Sequence, residues 1–184
     1  MTTPAPIDYG PLTALVGTWR GDSGMDVAPD PDGREENPYF ETIVFTPIGE
    51  VTNANREVLV GFRYHQCVSR KSTGLPFHDQ VGYWLWDAAT GTVMQSLLIP
   101  RAVGVLATGR ASGSRPVVLE VAATGEGADG GVVESRFMRD HARTVAFRHR
   151  VIVDGATLTY EETTIVDIYG RRFEHTDTNT LTRE

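Results

Sequence analysis

From Thr18 onward the chain is cut by turn signals at short, regular intervals. The segments DAATG, GSR, GEGADGG, DHA, DGA and YGR separate runs rich in Val, Ile, Thr, Tyr and Phe. Runs of this composition and spacing read as the strands of an all-β sandwich or barrel, about ten in number. Helical patterning is confined to PLTALVG at residues 11–17. No alternation of strands with helices occurs, which argues against a doubly wound α/β fold. No long-period internal repeat is visible either. The chain therefore reads as one domain over residues 11–184, preceded by a tail over residues 1–10. The polar stretch VAPDPDGREENP at 27–38 reads as a loop.

The choice between sandwich and barrel turns on what the strands bury. A sandwich strand presents one apolar face to the opposite sheet. Several strands here are mixed on both faces. In TVAFRHRVIVDG, Val145, Phe147, His149, Val151 and Val153 share one face, and Arg148 and Arg150 the other. YEETTIVDIY is equally mixed. Such strands suit an up-and-down antiparallel barrel around a partly polar cavity, whose inner positions contact a ligand and buried water as well as each other.

Composition narrows the function classes. The 184 residues carry a formal net charge of −7. Nucleic-acid binders need a basic footprint, so no nucleic-acid partner is expected. The longest apolar stretch, LLIPRAVGVLA, contains Pro100 and Arg101 and is too short to span a bilayer, so no membrane association is expected. The start, MTTPAPIDYG, lacks the features of a signal peptide. Cys67 is the single cysteine, so no internal disulfide can form, and it reads as a small buried hydrophobe. A reducing cytoplasm is the expected setting.

Familiar catalytic motifs are missing. There is no GxSxG elbow and no P-loop. GDSG at 21–24 stands alone, and the Glu161–Glu162 pair splits between two strand faces and reads as solvated. Of the five histidines, His141 lies in the turn-like RDHART, and His149 reads as a satisfied core residue. His65 shares a face with Arg63 and Cys67, and His78 follows a Gly-Leu-Pro turn. The last strand, RRFEHTDTNTLTRE, is the most unusual. Alternation puts Phe173, His175, Asp177, Asn179 and Leu181 on one face and a run of threonines on the other. Read by periodicity alone, His175, Asp177 and Asn179 form a buried network satisfying one another.

Several segments together resemble the nitrobindin family of haem-binding β-barrels. They are LVGTWRGDSG at 15–24, YFETIVF at 39–45, RYHQ at 63–66, GLPFHDQVGYW at 74–84, and VDGATLTYEETT followed by His175. The resemblance runs over residues 11–183. It implies a ten-stranded antiparallel barrel, similar in shape to fatty-acid-binding proteins, that holds haem b. The family's proximal histidine, the iron ligand, matches His175. Its distal-side histidine matches His78, and a threonine of the cofactor site matches Thr42. The resemblance further implies a homodimer, peroxynitrite isomerisation to nitrate at ferric haem, and nitric oxide binding at ferrous haem. Against the family pattern, Ser23 stands where a glycine is usual, and the 27–38 stretch is an insertion. The alternative is a non-enzymatic carrier of a fatty acid or other small hydrophobic ligand, with an interior arginine such as Arg63 clamping its carboxylate. Porphyrin walls would come from Leu97, Ile99, Val103 and Val105, and propionate partners from Arg63, Arg101 or Arg172.

Overall fold

A computed structural model describes residues 6–124 and 130–184. The described residues form eleven strands: β1 Gly17–Asp30, β2 Gly33–Asn53, β3 Glu57–Arg70, β4 Pro76–Asp87, β5 Thr92–Ile99, β6 Val103–Ser112, β7 Val117–Thr124, β8 Gly131–Glu134, β9 Ala142–Asp154, β10 Thr157–Ile168 and β11 Arg171–Arg183. A single turn of helix, α1 Arg136–His141, precedes β9. All pairings are antiparallel. The order around the sheet is β5-β4-β3-β2-β1-β11-β10-β9-β7-β6, and β5 pairs back onto β6. Ten strands thus close a barrel, as expected. The eleventh, β8, continues the wall beside Val103–Leu106 of β6, ahead of the stretch where β6 pairs with β7.

One end of the barrel is plugged. PLTALVG forms a 3-10 turn over Gly10–Leu15, started by Pro11, and drives Leu12 and Leu15 fully into the interior. They belong to the same buried core cluster as Trp19, Val153, Leu158 and Leu181. The Trp19 indole Nε1–H donates to the Leu15 carbonyl at 2.7 Å, so its polar edge is satisfied in the core. Arg183 lies over the same indole, 4.4 Å from the ring centroid, and donates to the Ala14 carbonyl at 2.6 Å. Part of the expected tail lies outside the described residues; within the rest, Tyr9 packs its ring on Phe62.

Strand irregularities decide which residues reach the interior. Between Gly21 and Gly24, β1 spends one residue more than β2, whose partners run from Glu41 to Tyr39. The same extra residue appears against β11. This bulge shifts the phase of β1. Trp19 points inward before it; Gly24 and Asp26 are the buried positions after it. A β-carbon on Gly24 would run into the Tyr39 ring, so the residue must be glycine for the bulge and the ring to coexist. GDSG is therefore a structural device. A second bulge, in β9, pairs Thr144 with Val166 and Ala146 with Ile165, skipping Val145. The inner positions of β9 are Thr144, Phe147, His149, Val151 and Val153, so Val145 does not share the face expected of it.

Two segments differ from the expectations of the sequence. Residues 27–38 are not a loop. They extend the β1–β2 hairpin, with Val27 opposite Glu36 and Asp30 opposite Gly33. Pro29 is tolerated because pairing of β1 with β11 stops at Val27, leaving one edge of β1 free there. His141 closes α1, whose N-cap Ser135 accepts a bond from Met138 N–H, and its Nδ1 bonds the Phe137 carbonyl. Turn residues GEGADGG fall largely outside the described residues.

Gly24→Ala is expected to lower stability by about 1–3 kcal/mol, the usual cost of forcing an extra carbon into a packed site. Urea unfolding followed by circular dichroism should show an earlier midpoint with an unchanged slope.

Candidate functional site

The end of the barrel opposite the plug encloses a cavity of about 340 Å³. Its depth is set by a polar layer across the middle of the barrel. Glu41 accepts bonds from Gln66 Nε2 and Asn179 Nδ2, each at 2.6 Å, and from the Tyr160 hydroxyl at 3.0 Å. Tyr160 also touches the Tyr39 hydroxyl at 2.7 Å. Beside them, His149 Nδ1 donates to Gln95 Oε1 at 2.9 Å, and Gln95 and Gln80 both donate to the Tyr64 hydroxyl. Burial pushes the Glu41 carboxyl up to about 7, against the pull of its hydrogen-bond donors. Burial alone pushes His149 down to about 3, so its imidazole is neutral, with Nε2 left without a partner among the described residues.

Above this layer the walls divide by chemistry. Leu97 and Ile99 of β5 and Val103 and Val105 of β6 form an aliphatic wall. His175 of β11 stands five strands away from β5 in a ring of ten, which is the opposite wall. His78 of β4 also lines the cavity, four strands from β11. The β1–β2 extension overhangs the opening with Ala28, Pro29 and Glu35. Burial lowers the His78 pKa, and the nearby Arg101 adds to this, so His78 is neutral in ordinary conditions.

His175 is held by acids. Its Nε2–H donates to Asp26 Oδ1 at 2.7 Å, and Asp177 Oδ2 lies 3.5 Å away. Asp26 and Asp177 are direct cross-strand partners. Two acids facing one another repel, and the imidazole between them relieves this. Asp26 is buried, and its second oxygen accepts from Asn37 Nδ2 at 3.0 Å; Asn37 in turn accepts from Arg70. Burial opposes charge on His175, but the bond to Asp26 and the field of Asp177 prevail and raise its pKa. Burial raises Asp177 to about 7, with His175 working against the shift and Asp26 reinforcing it. Ligand atoms of Asp26, His175 and Asp177 lie within 4.8 Å of one another, so the cluster can hold a cation.

The sequence-derived candidates divide accordingly. His175 and His78 share the cavity. Thr42 does not: inward positions of β2 are Tyr39, Glu41, Ile43 and Phe45, which turns Thr42 to the outer surface, where its hydroxyl accepts from Arg20 at 3.1 Å. Leu97, Ile99, Val103 and Val105 all face the cavity. Of the arginines, Arg101 lines it, whereas Arg63 is exposed on the outer face of β3 and Arg172 is bound outside to Asp167. Cys67 is exposed rather than buried. Glu162 is not solvated: it lines the cavity, and burial, aided by the charges of Asp177 and Glu41, holds its carboxyl well above its usual range. Sequence reasoning missed Asp26, Glu41, Asn37 and Arg70. The glycine pair around the β1 bulge was the available signal for Asp26.

The family model of the THAP4-like, heme-binding beta-barrel domain matches residues 8–183 of this chain. The chain belongs to that family of haem-binding β-barrel domains. Among solved structures it is similar to that of Rv2717c from M. tuberculosis, with a TM-score of 0.71, 21% sequence identity and 94% of each chain covered. At that identity the likeness shows the fold. No curated protein matches the sequence. Among the described residues no helix is long and apolar enough to cross a membrane.

His149 generates a definite pH dependence. Its ordinary pKa of 6.5 applies in the unfolded chain and about 3 in the folded one. Below pH 6.5 the unfolded chain takes up a proton that the folded barrel refuses, so this contribution to stability is lost as pH falls from 6.5 toward 3. Glu41 and Asp177 act with the opposite sign, their contribution fading as pH rises toward 7. His149→Gln, which keeps a donor for Gln95, should flatten the acid limb of a stability–pH curve measured by urea unfolding.

Proposed function

We propose that the barrel holds haem b in its mouth, with His175 as axial ligand to the iron and His78 on the opposite side. The observation that carries the reading is the placement of His175. It projects from β11 into the cavity, about one-third exposed, facing an aliphatic wall five strands away. The donor set fits the group: an imidazole is a good axial ligand, and an apolar wall suits a porphyrin face. The cavity lies near the lower end of the usual size range for small-molecule sites, so the propionate edge would lie at the rim, where Arg101 offers a guanidinium.

One condition is attached. The Nε2 atom of His175 is engaged by Asp26, and ligation through that atom requires the bond to break. A hydrogen bond to a charged group contributes about 1.5–3 kcal/mol. Asp26 thus competes with the iron for His175, and Asp177, 3.5 Å from the same Nε2, stands beside that atom as a second carboxylate. Leu97, Ile99, Val103 and Val105 exclude water from the same space. His78, neutral and reached by Gln80 at 3.4 Å, offers a hydrogen-bonding ring nitrogen on the far side. Ferric haem bound there would supply the iron for peroxynitrite isomerisation to nitrate, and ferrous haem the site for nitric oxide. This reading carries a cytoplasmic setting and a homodimer, the latter checked by sedimentation.

The carrier reading loses Arg63 as its clamp and is left with Arg101 at the rim. Arg63 faces outward, and the inward Arg70 is committed to Asn37 and to the face of Phe77, 4.5 Å from its centroid.

Titration with ferric haem should give a saturable one-to-one Soret shift. His175→Ala should abolish it while leaving the far-ultraviolet dichroism of the barrel unchanged; a retained shift overturns the assignment. Asp26→Asn should tighten haem binding by roughly tenfold, because the competing ion pair is weakened. Unchanged or weaker affinity in that variant would remove Asp26 from the account.

A further inference from the structure

The outer wall of the barrel carries a second cluster that the mouth does not use. His65 and Cys67, two residues apart on β3, share its outward face. Asp79 of β4 is the direct ladder partner of Cys67. The three side chains therefore stand at the corners of one small patch on adjacent, hydrogen-bonded strands. His65 Nε2 lies 2.9 Å from Asp79 Oδ2 and 3.2 Å from Cys67 Sγ, and Cys67 Sγ lies 3.5 Å from the same Asp79 oxygen.

We propose that His65 Nε2, Cys67 Sγ and Asp79 Oδ2 form a binding site for a divalent zinc-class metal ion, with one exchangeable coordination position. Bond lengths of roughly 2.0 Å to nitrogen and oxygen and 2.3 Å to sulfur put tetrahedral donor atoms about 3.3–3.5 Å apart. The observed spacings need to open by only about 0.4 Å at most to accept such an ion. The donors are mixed: a thiolate and an imidazole, which favour zinc over magnesium or calcium, and a carboxylate. An exposed His–Asp pair contributes little by itself and gives no reason for a thiol to converge on it. The scaffold is fixed, since β3 is paired on both sides, to β2 and β4, and β4 to β3 and β5.

Access comes from the surface. All three residues are exposed. Cys67 also borders an outer groove formed with Arg20, Thr42 and Ser69. Thr42 is the ladder partner of Cys67 on its other side, and Arg20 the partner of Thr42. A ligand on the open position is thereby met by a hydroxyl and a guanidinium along one row. Binding is balanced by proton release: the Sγ–H bond breaks, its proton passes to solvent, and the sulfur electron pair goes to the metal, with no change of oxidation state.

The test uses the full chain, freed of metal, and cobalt(II) as a spectroscopic probe. One equivalent should bind with a thiolate-to-cobalt charge-transfer band in the near ultraviolet and visible bands of tetrahedral intensity, and zinc should displace it. Cys67→Ser should remove the charge-transfer band, and His65→Ala should weaken binding by more than roughly tenfold. His175→Ala should keep the thiolate-to-cobalt charge-transfer band unchanged, which separates this site from the mouth cluster. Absence of the charge-transfer band in the unaltered chain overturns the proposal. So does a band that survives Cys67→Ser, or one lost in His175→Ala; in either case the metal belongs elsewhere.

Discussion

Hydrogen bonds between the first strand and the last close the sheet, and most of the rest follows from that closure. An open sheet can leave one face to solvent. A closed one cannot: every second side chain of ten strands must point into a common interior. The plug of Leu12, Leu15 and Trp19 fills one end with apolar matter. At the middle and the mouth, β2, β3, β10 and β11 send Glu41, Gln66, Tyr160, Glu162, His175 and Asp177 inward instead. These groups are wholly or partly withdrawn from water, so each needs a partner or must give up its charge. Glu41 has three donors; Glu162 has no comparable donors among the described residues, and burial holds its carboxyl well above its usual range.

This interior favours a cation. Asp26, Asp177 and Glu162 line the cavity together with His175, whose pKa the bond to Asp26 and the field of Asp177 raise. The low dielectric that makes unpaired acids costly also strengthens any bond they make to an incoming positive centre. A ferric centre beside His175 would find its charge welcomed by Asp177 and its flat apolar ring accepted by the β5–β6 wall. On the proposed ligation, the bond from His175 to Asp26 would keep the site satisfied in the absence of haem, at the expense of affinity in its presence.

How much of this could be read from the residues depends on whether a strand obeys strict alternation. In β11 it does, and Phe173, His175, Asp177, Asn179 and Leu181 fall on the inner face as expected. The count of ten barrel strands was also legible, because turns carry their own chemistry. On β3 the two faces were readable but their orientation was not assigned. Phe62, Tyr64 and Val68 mark the inner one, which sends Arg63, His65 and Cys67 outside. Alternation fails at the bulges. One extra residue in β1 makes Asp26 an interior group, and one in β9 replaces Val145 by Thr144. Nor does a mixed strand such as β10 announce which of Glu161 and Glu162 is buried. That depends on the packing of β9 and β11 on either side, which only closure determines.

The partners at the mouth are far apart along the chain: Asp26 and His175 are separated by 149 positions. Closing so long a loop carries its entropic cost early and its return late. While the chain is being synthesised, the strand bearing Asp26 is made long before the one bearing His175, and it waits with an unpaired edge. The ligand site and the seam of the barrel are therefore completed in one event. A chain that stalls before β11 exposes a strand edge and lacks His175 at its mouth, so exposure to aggregation and loss of the proposed ligand begin and end together.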